Sequence, residues 1–310
     1  IDSGTIEKGQ TIKYSLRIWI DSTAGDDNKE AEVMGKIFNA QISLDAEQYV
    51  APTKIAVCKR ATTLHTENCE MTYCRNNYKS GGDITYGHLG TKGVLTTGDA
   101  FDCDVNGDGV YDAETERFYY VSDMTNGVTQ DSNTAVLVYY NNVSGGVASN
   151  STTYAYDSSG KNNNGPVTAI EQLPTTEQWS NVSLINTTRT ITNETGGNTT
   201  IDGNLPTAFS YLEYAARLIT VQEINSGCSI VIGSSKTGEI STKCEFLLEN
   251  TNYATASMKN HGSWIESGIS KYSGVTWLIN SEYQSVVYPS VSALNGVRPA
   301  IEVAKTNIDY

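Results

Sequence analysis

The chain has 310 residues, with 35 acidic and 21 basic side chains and a formal net charge of −14. Such a surface repels nucleic acid and anionic membranes, which excludes them from the expected partners. No apolar run reaches the ~20 residues that a membrane-spanning helix needs, so we expect no membrane insertion by this segment. The sequence begins at Ile1 without a secretory signal, and we interpret it as a mature or trimmed piece of a longer protein.

Residues 1–50 are expected to form two β-strands ahead of the main domain. Apolar and polar residues alternate over 10–20 and again over 36–44, and the connection between these two segments is rich in acidic residues. Two strands cannot bury their apolar faces alone. The pair is therefore either the end of a β-sandwich or a docked hairpin, and self-assembly through residues 1–50 is one expected role. Pro52 marks the predicted boundary, with a second domain over residues 51–310.

The second domain is predicted to be mostly β with short helices, an α+β class. Strands are indicated at 54–57, 117–121, 135–140, 275–279 and 284–288 and over the closing segment 296–303. One short helix is predicted over 174–179, where a capping Thr precedes helix-forming residues. Another is predicted from Thr220, because Thr220 and Glu223 have the spacing of a capping box.

Six cysteines, at positions 58, 69, 74, 103, 228 and 244, favour an extracellular, disulfide-bonded protein. None forms a Cys-x-x-Cys pair and the three histidines complete no zinc-binding spacing, so disulfides are favoured over metal thiolates. Sequence proximity favours Cys69–Cys74 and Cys228–Cys244, which leaves Cys58–Cys103. The alternative is a cytosolic protein with six reduced thiols in its core.

The segment 104–116 has oxygen-bearing side chains at alternate positions around a glycine. Asp104, Asn106, Asp108 and Asp112 stand where calcium-binding loops have ligands, and Gly109 stands where they make their sharp turn. Thr115 occupies the place of the bidentate glutamate of an EF-hand, and a strand follows, so a free-standing loop between strands is expected. We predict one structural Ca²⁺ held by Asp104, Asn106, Asp108, Asp112, the Val110 carbonyl, and Glu114 or Glu116. The alternative is an acidic surface turn without metal.

Several segments resemble one family. The segment 214–224, with its Arg217-Leu218-Ile219-Thr220 run, resembles the helix entry of C-type-lectin-like folds related to formylglycine-generating enzymes. Segments 262–267 and 296–300 resemble that fold's closing strands, and their Trp-x-x-Ser and Gly-Val-Arg-Pro patterns are typical of variable proteins of diversity-generating retroelements and related gut-bacterial surface proteins. Segments 58–65 and 101–109 resemble the body of the same group. The resemblance implies a C-type-lectin-like domain over 51–310, with Trp264, Trp277, Val286 and Arg298 as scaffold residues.

In such proteins the segment between Trp264 and Gly296 is the one that varies, and here it is rich in Tyr, Ser and Asn. Tyrosine gives large, rigid contact area, and Ser and Asn give adaptable hydrogen bonds, as in antibody paratopes. Strand alternation places Val275, Trp277 and Ile279 on one face, so only part of the segment faces outward. The predicted ligand-binding residues are Ser267, Ser270, Tyr272, Ser273, Asn280, Tyr283, Ser285, Tyr288 and Ser290. The alternative is an ordinary solvent-facing β surface.

The sequence contains no recognisable catalytic motif, and we expect a protein that is not an enzyme. His65, His88 and His261 have no nucleophile motif beside them, and Glu266 is the best of weak candidates for a glycosidase acid. The predicted function is adhesion or ligand binding at a bacterial cell surface or a virion surface, with a protein or glycan ligand on another cell or surface. A subunit of a surface filament or pilus is the alternative, and a glycosidase comes third.

Overall fold

A computed structural model describes residues 56–68, 83–149, 151–197, 200, 206–230, 238–255, 258–280 and 285–310. The chain divides between Pro52 and Thr53 into two units, and every described residue belongs to the second. The strand pair predicted within residues 1–50, the pair Cys69–Cys74 and Tyr283 therefore lie outside the described residues.

The described part of the chain is mostly β with short helices, as predicted. In its first half the strands are β1 Cys58–Arg60, β2 Thr66–Asn68, β3 Asp83–Thr85, β4 Ala100–Cys103, β5 Arg117–Ser122, β6 Met124–Thr125, β7 Thr129–Gln130, β8 Thr134–Tyr139, β9 Val143–Ser144 and β10 Val147–Ala148. In its second half they are β11 Thr188–Thr190, β12 Ala208–Ser210, β13 Gly238–Glu239, β14 Asn252–Thr255, β15 Met258–Gly268, β16 Thr276–Asn280, β17 Ser285–Val287, β18 Ala300–Ala304 and β19 Ile308–Asp309. The α-helices are Val167–Ile170 and Val221–Cys228, and the 3-10 helices are Asn162–Asn164, Thr242–Leu248 and Lys305–Asn307.

The larger sheet has the strand order β18-β8-β5-β4-β1-β19. Its two edge strands, β18 and β19, follow each other in the chain with only the 3-10 helix Lys305–Asn307 between them. Six strands lying flat would separate the edges by roughly 24 Å, and so short a connection spans at most about 15 Å. The sheet therefore curls until its edges approach each other.

The second sheet has the order β13-β17-β16-β15-β14 and is antiparallel throughout. Four two-stranded sheets complete the described part: β2–β3, β6–β7, β9–β10 and β11–β12. The strands predicted at 275–279 and 284–288 are present as β16 and β17, whose antiparallel register pairs Asn280 with Ser285 and Leu278 with Val287.

Apolar side chains from both large sheets form two core clusters. Alternate residues of β5 point to different clusters, Phe118 to one and Tyr119 to the other. Strand β16 does the same, because Trp277 and Ile279 lie in one cluster and Leu278 in the other. Burial on both faces explains why these strands read as continuous apolar runs. Val275 packs against the same cluster as Trp277 and Ile279, which confirms their predicted common face.

The helix predicted from Thr220 is confirmed as Val221–Cys228. The Thr220 side chain accepts from the Glu223 amide, and Glu223 accepts from the Thr220 amide, so the capping box is complete. The prediction of a helix over 174–179 was wrong. Trp179 N donates to the Thr175 carbonyl at 3.0 Å, but the turn goes no further because Asn181 N donates to the Val105 carbonyl at 2.9 Å.

Two of the predicted disulfides are confirmed. Cys58–Cys103 joins directly paired positions of β1 and β4. Cys228–Cys244 joins the end of the helix Val221–Cys228 to the 3-10 helix Thr242–Leu248. Disulfides of this kind persist in oxidising compartments. In the described ranges, no helix has the length and apolar character that crossing a membrane requires.

Candidate functional site

Residues 104–116, here called the acidic loop, connect strands β4 and β5. These strands pair antiparallel, with Asp102 opposite Arg117, so the two ends of the loop are held together. The disulfide Cys58–Cys103 fixes the residue just before Asp104. As predicted, the loop stands between two strands rather than between two helices.

Backbone amides of the acidic loop turn inward toward its own side chains. The Asp104 carboxylate accepts from Gly107 N at 2.8 Å and from Gly109 N at 3.1 Å. Asn106 Oδ1 accepts from Asp108 N at 2.9 Å, and Asp108 Oδ1 accepts from Val110 N at 2.8 Å. Both glycines have φ near +80°, a conformation that other residues adopt only with strain. The alternating sequence therefore produces successive tight turns.

Of the two glutamates at the end of the acidic loop, only Glu116 lies inside. Glu116 is 6% exposed, whereas Glu114 is exposed. Glu116 Oε2 accepts from Asp112 N at 3.1 Å, and Oε1 is buried without a hydrogen-bond partner among the described residues. Burial raises the pKa of Glu116 to about 7, and the negative charges of Asp108, Asp104 and Asp112 contribute to this rise. The Glu116 carboxylate thus lies close enough to the three aspartates to be repelled by them.

The Asp112 carboxylate is hydrogen-bonded to neighbouring residues of the same loop. Its carboxylate accepts from Glu114 N and from Thr115 Oγ1, both at 2.8 Å. In the part of the chain that the structure describes, no three Asp, Glu, His or Cys side chains are placed to hold a metal ion together. The residues predicted to bind calcium are therefore neighbours in one loop, without being drawn together around a single point.

The acidic loop is anchored from outside by two other segments. Asn181 Nδ2 donates to the Asp104 carbonyl, and Ser180 Oγ donates to the Asn106 carbonyl, both at 2.7 Å. On the other side His65 Nε2 lies 2.5 Å from the Ala113 carbonyl, while its Nδ1 lies 2.8 Å from Glu249 Oε1. Because both ring nitrogens are occupied, His65 has no free nitrogen to act as a general base in this conformation.

The predicted ligand-binding residues divide between the two ends of the second sheet. Five of them, here called the tyrosine end, lie on the β15–β16 turn and the segment after β17: Ser270, Tyr272, Ser273, Tyr288 and Ser290. These two segments meet where Val275 pairs with Ser290. Asn280 and Ser285 pair with each other at the opposite end of β16, roughly 13 Å away at about 3.3 Å per residue.

Three members of the tyrosine end are exposed to solvent, whereas Ser267 is buried. Tyr272 is 48% exposed, Tyr288 is 40% exposed and Ser290 is exposed, so their side chains are available to a ligand. Ser267 is fully buried, and its hydroxyl accepts from Val221 N at 3.0 Å. This corrects the prediction for Ser267, because its side chain holds the start of the helix Val221–Cys228 instead of facing solvent.

A buried asparagine fixes the turn that carries Tyr272. Asn162 Nδ2 donates to the carbonyls of Ile269, Tyr272 and Val275 at 3.1, 3.0 and 2.6 Å, and Asn162 N donates to the Ser273 carbonyl at 2.7 Å. Asn162 itself is fully buried. Sequence reasoning missed this residue, because the run 162–164 reads as a polar loop and its partners are more than a hundred residues away.

Two arginines of the segments that carry the family resemblance are buried and hydrogen-bonded. The Arg217 guanidinium pairs with Glu223 and, at 2.8 Å, with Glu302. Arg298 donates to three backbone carbonyls, those of Tyr139, Leu247 and Phe246. Trp264, Trp277, Val286 and Arg298 are all buried, as expected of scaffold residues.

Glu266, the candidate glycosidase acid, is buried and fully engaged. One carboxylate oxygen lies 2.6 Å from Arg189 Nη2, and the other accepts from Tyr211 Oη at 2.9 Å. A glycosidase acid has to reach a bound sugar from an accessible cleft. Glu266 is 1% exposed and therefore serves as an internal ion-pair partner in this structure.

Comparisons of this chain with protein-family models, with curated proteins and with solved structures find no match. The C-type-lectin-like resemblance therefore stays a prediction from the sequence.

Proposed function

We propose that this chain is an extracellular recognition domain that binds a protein or glycan on another cell or surface through its tyrosine end. The observation that carries the proposal is the turn 269–275, whose backbone is fixed by hydrogen bonds while its central side chain is exposed. Its backbone is held by four hydrogen bonds from buried Asn162, while Tyr272 at its tip is 48% exposed. A side chain on a fixed backbone loses little freedom on binding, and so more of its contact energy contributes to affinity.

Tyr288 supports the same proposal from the adjacent segment. Its ring meets the ring of buried Trp277 edge to face, with centroids 5.7 Å apart. Thr276 N donates to the Pro289 carbonyl at 3.2 Å, which ties the two segments of the tyrosine end together. Lys271 Nζ lies 5.1 Å from the centre of the Tyr272 ring. Exposed aromatic side chains on a rigid frame are the usual anchors of a recognition surface.

The extracellular setting is supported by the disulfides Cys58–Cys103 and Cys228–Cys244. We also propose a C-type-lectin-like fold of the variable-protein group for the second domain. It is supported by the buried positions of Arg217 in the helix-entry segment and Arg298 in the closing segment. The filament alternative depends on residues 1–50, which lie outside the described residues.

Binding of the fluorescently labelled chain to a glycan array and to immobilised bacterial envelope proteins tests the proposal. Replacing Tyr272 or Tyr288 with Ala should weaken binding to whichever probe is retained by about thirtyfold, the effect of losing a hot-spot side chain. Leu212→Ala is the matched control, because Leu212 is a large exposed apolar side chain outside the tyrosine end. Binding to neither probe set, or equal binding by the tyrosine variants, contradicts the proposal.

A further inference from the structure

We infer that the acidic loop is a binding site for one Ca²⁺ ion, closed by Glu116 rather than by Glu114. The inference concerns a different part of the molecule from the tyrosine end and does not depend on the proposed function. It rests on two separate features of the loop: its alternating oxygen ligands, and a buried carboxylate oxygen that the protein leaves without a partner.

The second feature distinguishes the acidic loop from an ordinary polar turn. Glu116 is more than nine-tenths buried, and its Oε1 accepts no hydrogen bond from the described residues. A buried acceptor without a hydrogen-bond partner destabilises the folded state, and more so when the group is charged. The negative charges of Asp104, Asp108 and Asp112 all repel the Glu116 carboxylate. A cation among these four carboxylates satisfies the free oxygen and removes the repulsion together.

Several amides of the loop are already engaged with other acceptors. Gly107 N and Gly109 N donate to Asp104, and Asp112 N already donates to the other oxygen of Glu116. A hard cation with six to eight oxygen ligands is the species that such an arrangement suits. The carbonyl of Val110 adds a neutral ligand at the place where calcium loops use one.

Binding requires the loop to contract. The carboxylates are not yet gathered around one point, whereas Ca²⁺ needs oxygens at about 2.3–2.6 Å. Asn106 and Asp108 are exposed, and their side chains would have to exchange hydrogen bonds within the loop for the ion, while Asp104 is buried and fixed beside the disulfide Cys58–Cys103. Glu116 is fixed too, because β5 begins at the next residue. A site with two fixed and two movable ligands favours Ca²⁺ over Mg²⁺, which demands near-ideal octahedral geometry.

Isothermal titration calorimetry of the EDTA-treated whole chain with CaCl₂ tests the inference. We expect one ion with a Kd of about 0.1–1 mM, the range of extracellular calcium modules, and Mg²⁺ binding at least about tenfold weaker. Asp108→Ala should weaken Ca²⁺ binding by about tenfold or more, because an exposed ligand is removed without disturbing the core. Asp131→Ala is the matched control. Asp131 accepts from Asn133 N at 2.9 Å in the same kind of turn, outside the acidic loop.

The variant Glu116→Gln tests whether Glu116 is a calcium ligand or only a structural residue. The variant removes a repelled charge, so its melting temperature without calcium should equal or exceed that of the parent, while its Ca²⁺ affinity falls by about tenfold or more. In the parent, about 10 mM Ca²⁺ should raise the melting temperature by about 5 °C. The inference is overturned if Ca²⁺ produces no heat of binding and no thermal shift at that concentration. Unchanged Ca²⁺ affinity in Asp108→Ala also overturns it. Mg²⁺ binding as tight as Ca²⁺ binding overturns the choice of ion.

Discussion

Two loops of this protein both begin with a buried aspartate and contain glycines, and they differ in how their carboxylates are satisfied. The loop 157–165, here called the Asp157 loop, also begins with a buried aspartate and contains glycines. Asp157 Oδ1 accepts from Ser159 N at 2.9 Å, and Oδ2 accepts from Ser159 Oγ, Lys161 N and Asn164 Nδ2 at 2.6, 3.2 and 3.0 Å. Every partner of this carboxylate comes from within the loop.

The acidic loop leaves one buried carboxylate oxygen without a hydrogen-bond partner among the described residues. Five of its amides donate to Asp104, Asn106, Asp108 and Glu116, and Glu116 Oε1 remains. A buried aspartate in a glycine-containing loop therefore does not define a cation site by itself. The difference lies in the balance between buried carboxylate oxygens and available N–H groups.

The Asp157 loop should respond most strongly to loss of its aspartate. Asp157→Ala removes a buried carboxylate that accepts four hydrogen bonds, so we expect the free energy of unfolding to fall by about 3 kcal/mol. Urea denaturation should give the same loss with and without Ca²⁺. If Ca²⁺ restores the stability lost in Asp157→Ala, this loop also depends on a cation, which contradicts the claim that the Asp157 carboxylate is satisfied within its own loop.

The next largest effect is expected at Asn162, which lies inside the Asp157 loop and pins the turn of the tyrosine end. Asn162→Ala leaves three carbonyls without their buried donor, and we expect a loss of about 2 kcal/mol in urea denaturation. Faster amide exchange in the turn 269–275 should accompany it. The neighbouring variant Asn163→Ala should leave exchange in that turn unchanged, and if both variants act alike, Asn162 is not the residue that holds it.

A matched pair of glycines sharpens the comparison further. Gly109 in the acidic loop and Gly160 in the Asp157 loop both have φ near +80°, and an added Cβ would contact nothing within 4 Å at either. Replacing either with Ala should cost about 1 kcal/mol through backbone strain alone. Only Gly109→Ala should also weaken Ca²⁺ binding, because only the acidic loop has to tighten. Equal calcium affinity in both variants would show that the loop does not contract.

The smallest expected effect is a pH dependence at the His65 contact with the acidic loop. Burial lowers the pKa of His65, but the hydrogen bond and charge of Glu249 and the Ala113 carbonyl raise it more, and the net shift is upward. A histidine whose pKa is raised on folding stabilises the protein fully below its unfolded pKa of about 6.5, and this contribution is lost as pH rises through the folded pKa. Urea unfolding measured from about pH 6 to 9 should show this decline in the parent and a weaker one in His65→Asn. Identical slopes would exclude His65 as the source.

The sequence predicts those features that depend on residues close together in the chain. Thr220 and Glu223 form the predicted capping box, and the acidic loop stands between strands, because the signals lie within a few residues of each other. Strands β16 and β17 follow from the apolar runs within 275–279 and 284–288. Cys228–Cys244 was predictable for the same reason, and Cys58–Cys103 followed by elimination.

What the sequence could not predict depends on distant partners. Asn162 is one polar residue among many until its contacts with 269–275 are known. Ser267 was expected at the surface, because nothing nearby shows that its hydroxyl accepts from Val221 N. Likewise, the choice between Glu114 and Glu116 depends on which one the folded loop buries. The helix predicted over 174–179 failed because Asn181 leaves it to bind the acidic loop.

Amide hydrogen exchange with and without Ca²⁺ compares the two loops in one measurement. If the acidic loop takes its missing partner from a cation, calcium should slow exchange of the Gly107, Gly109 and Val110 amides by about tenfold or more and leave those of Ser159 and Lys161 unchanged. Unchanged rates in residues 104–116, or equal slowing in both loops, would contradict the account.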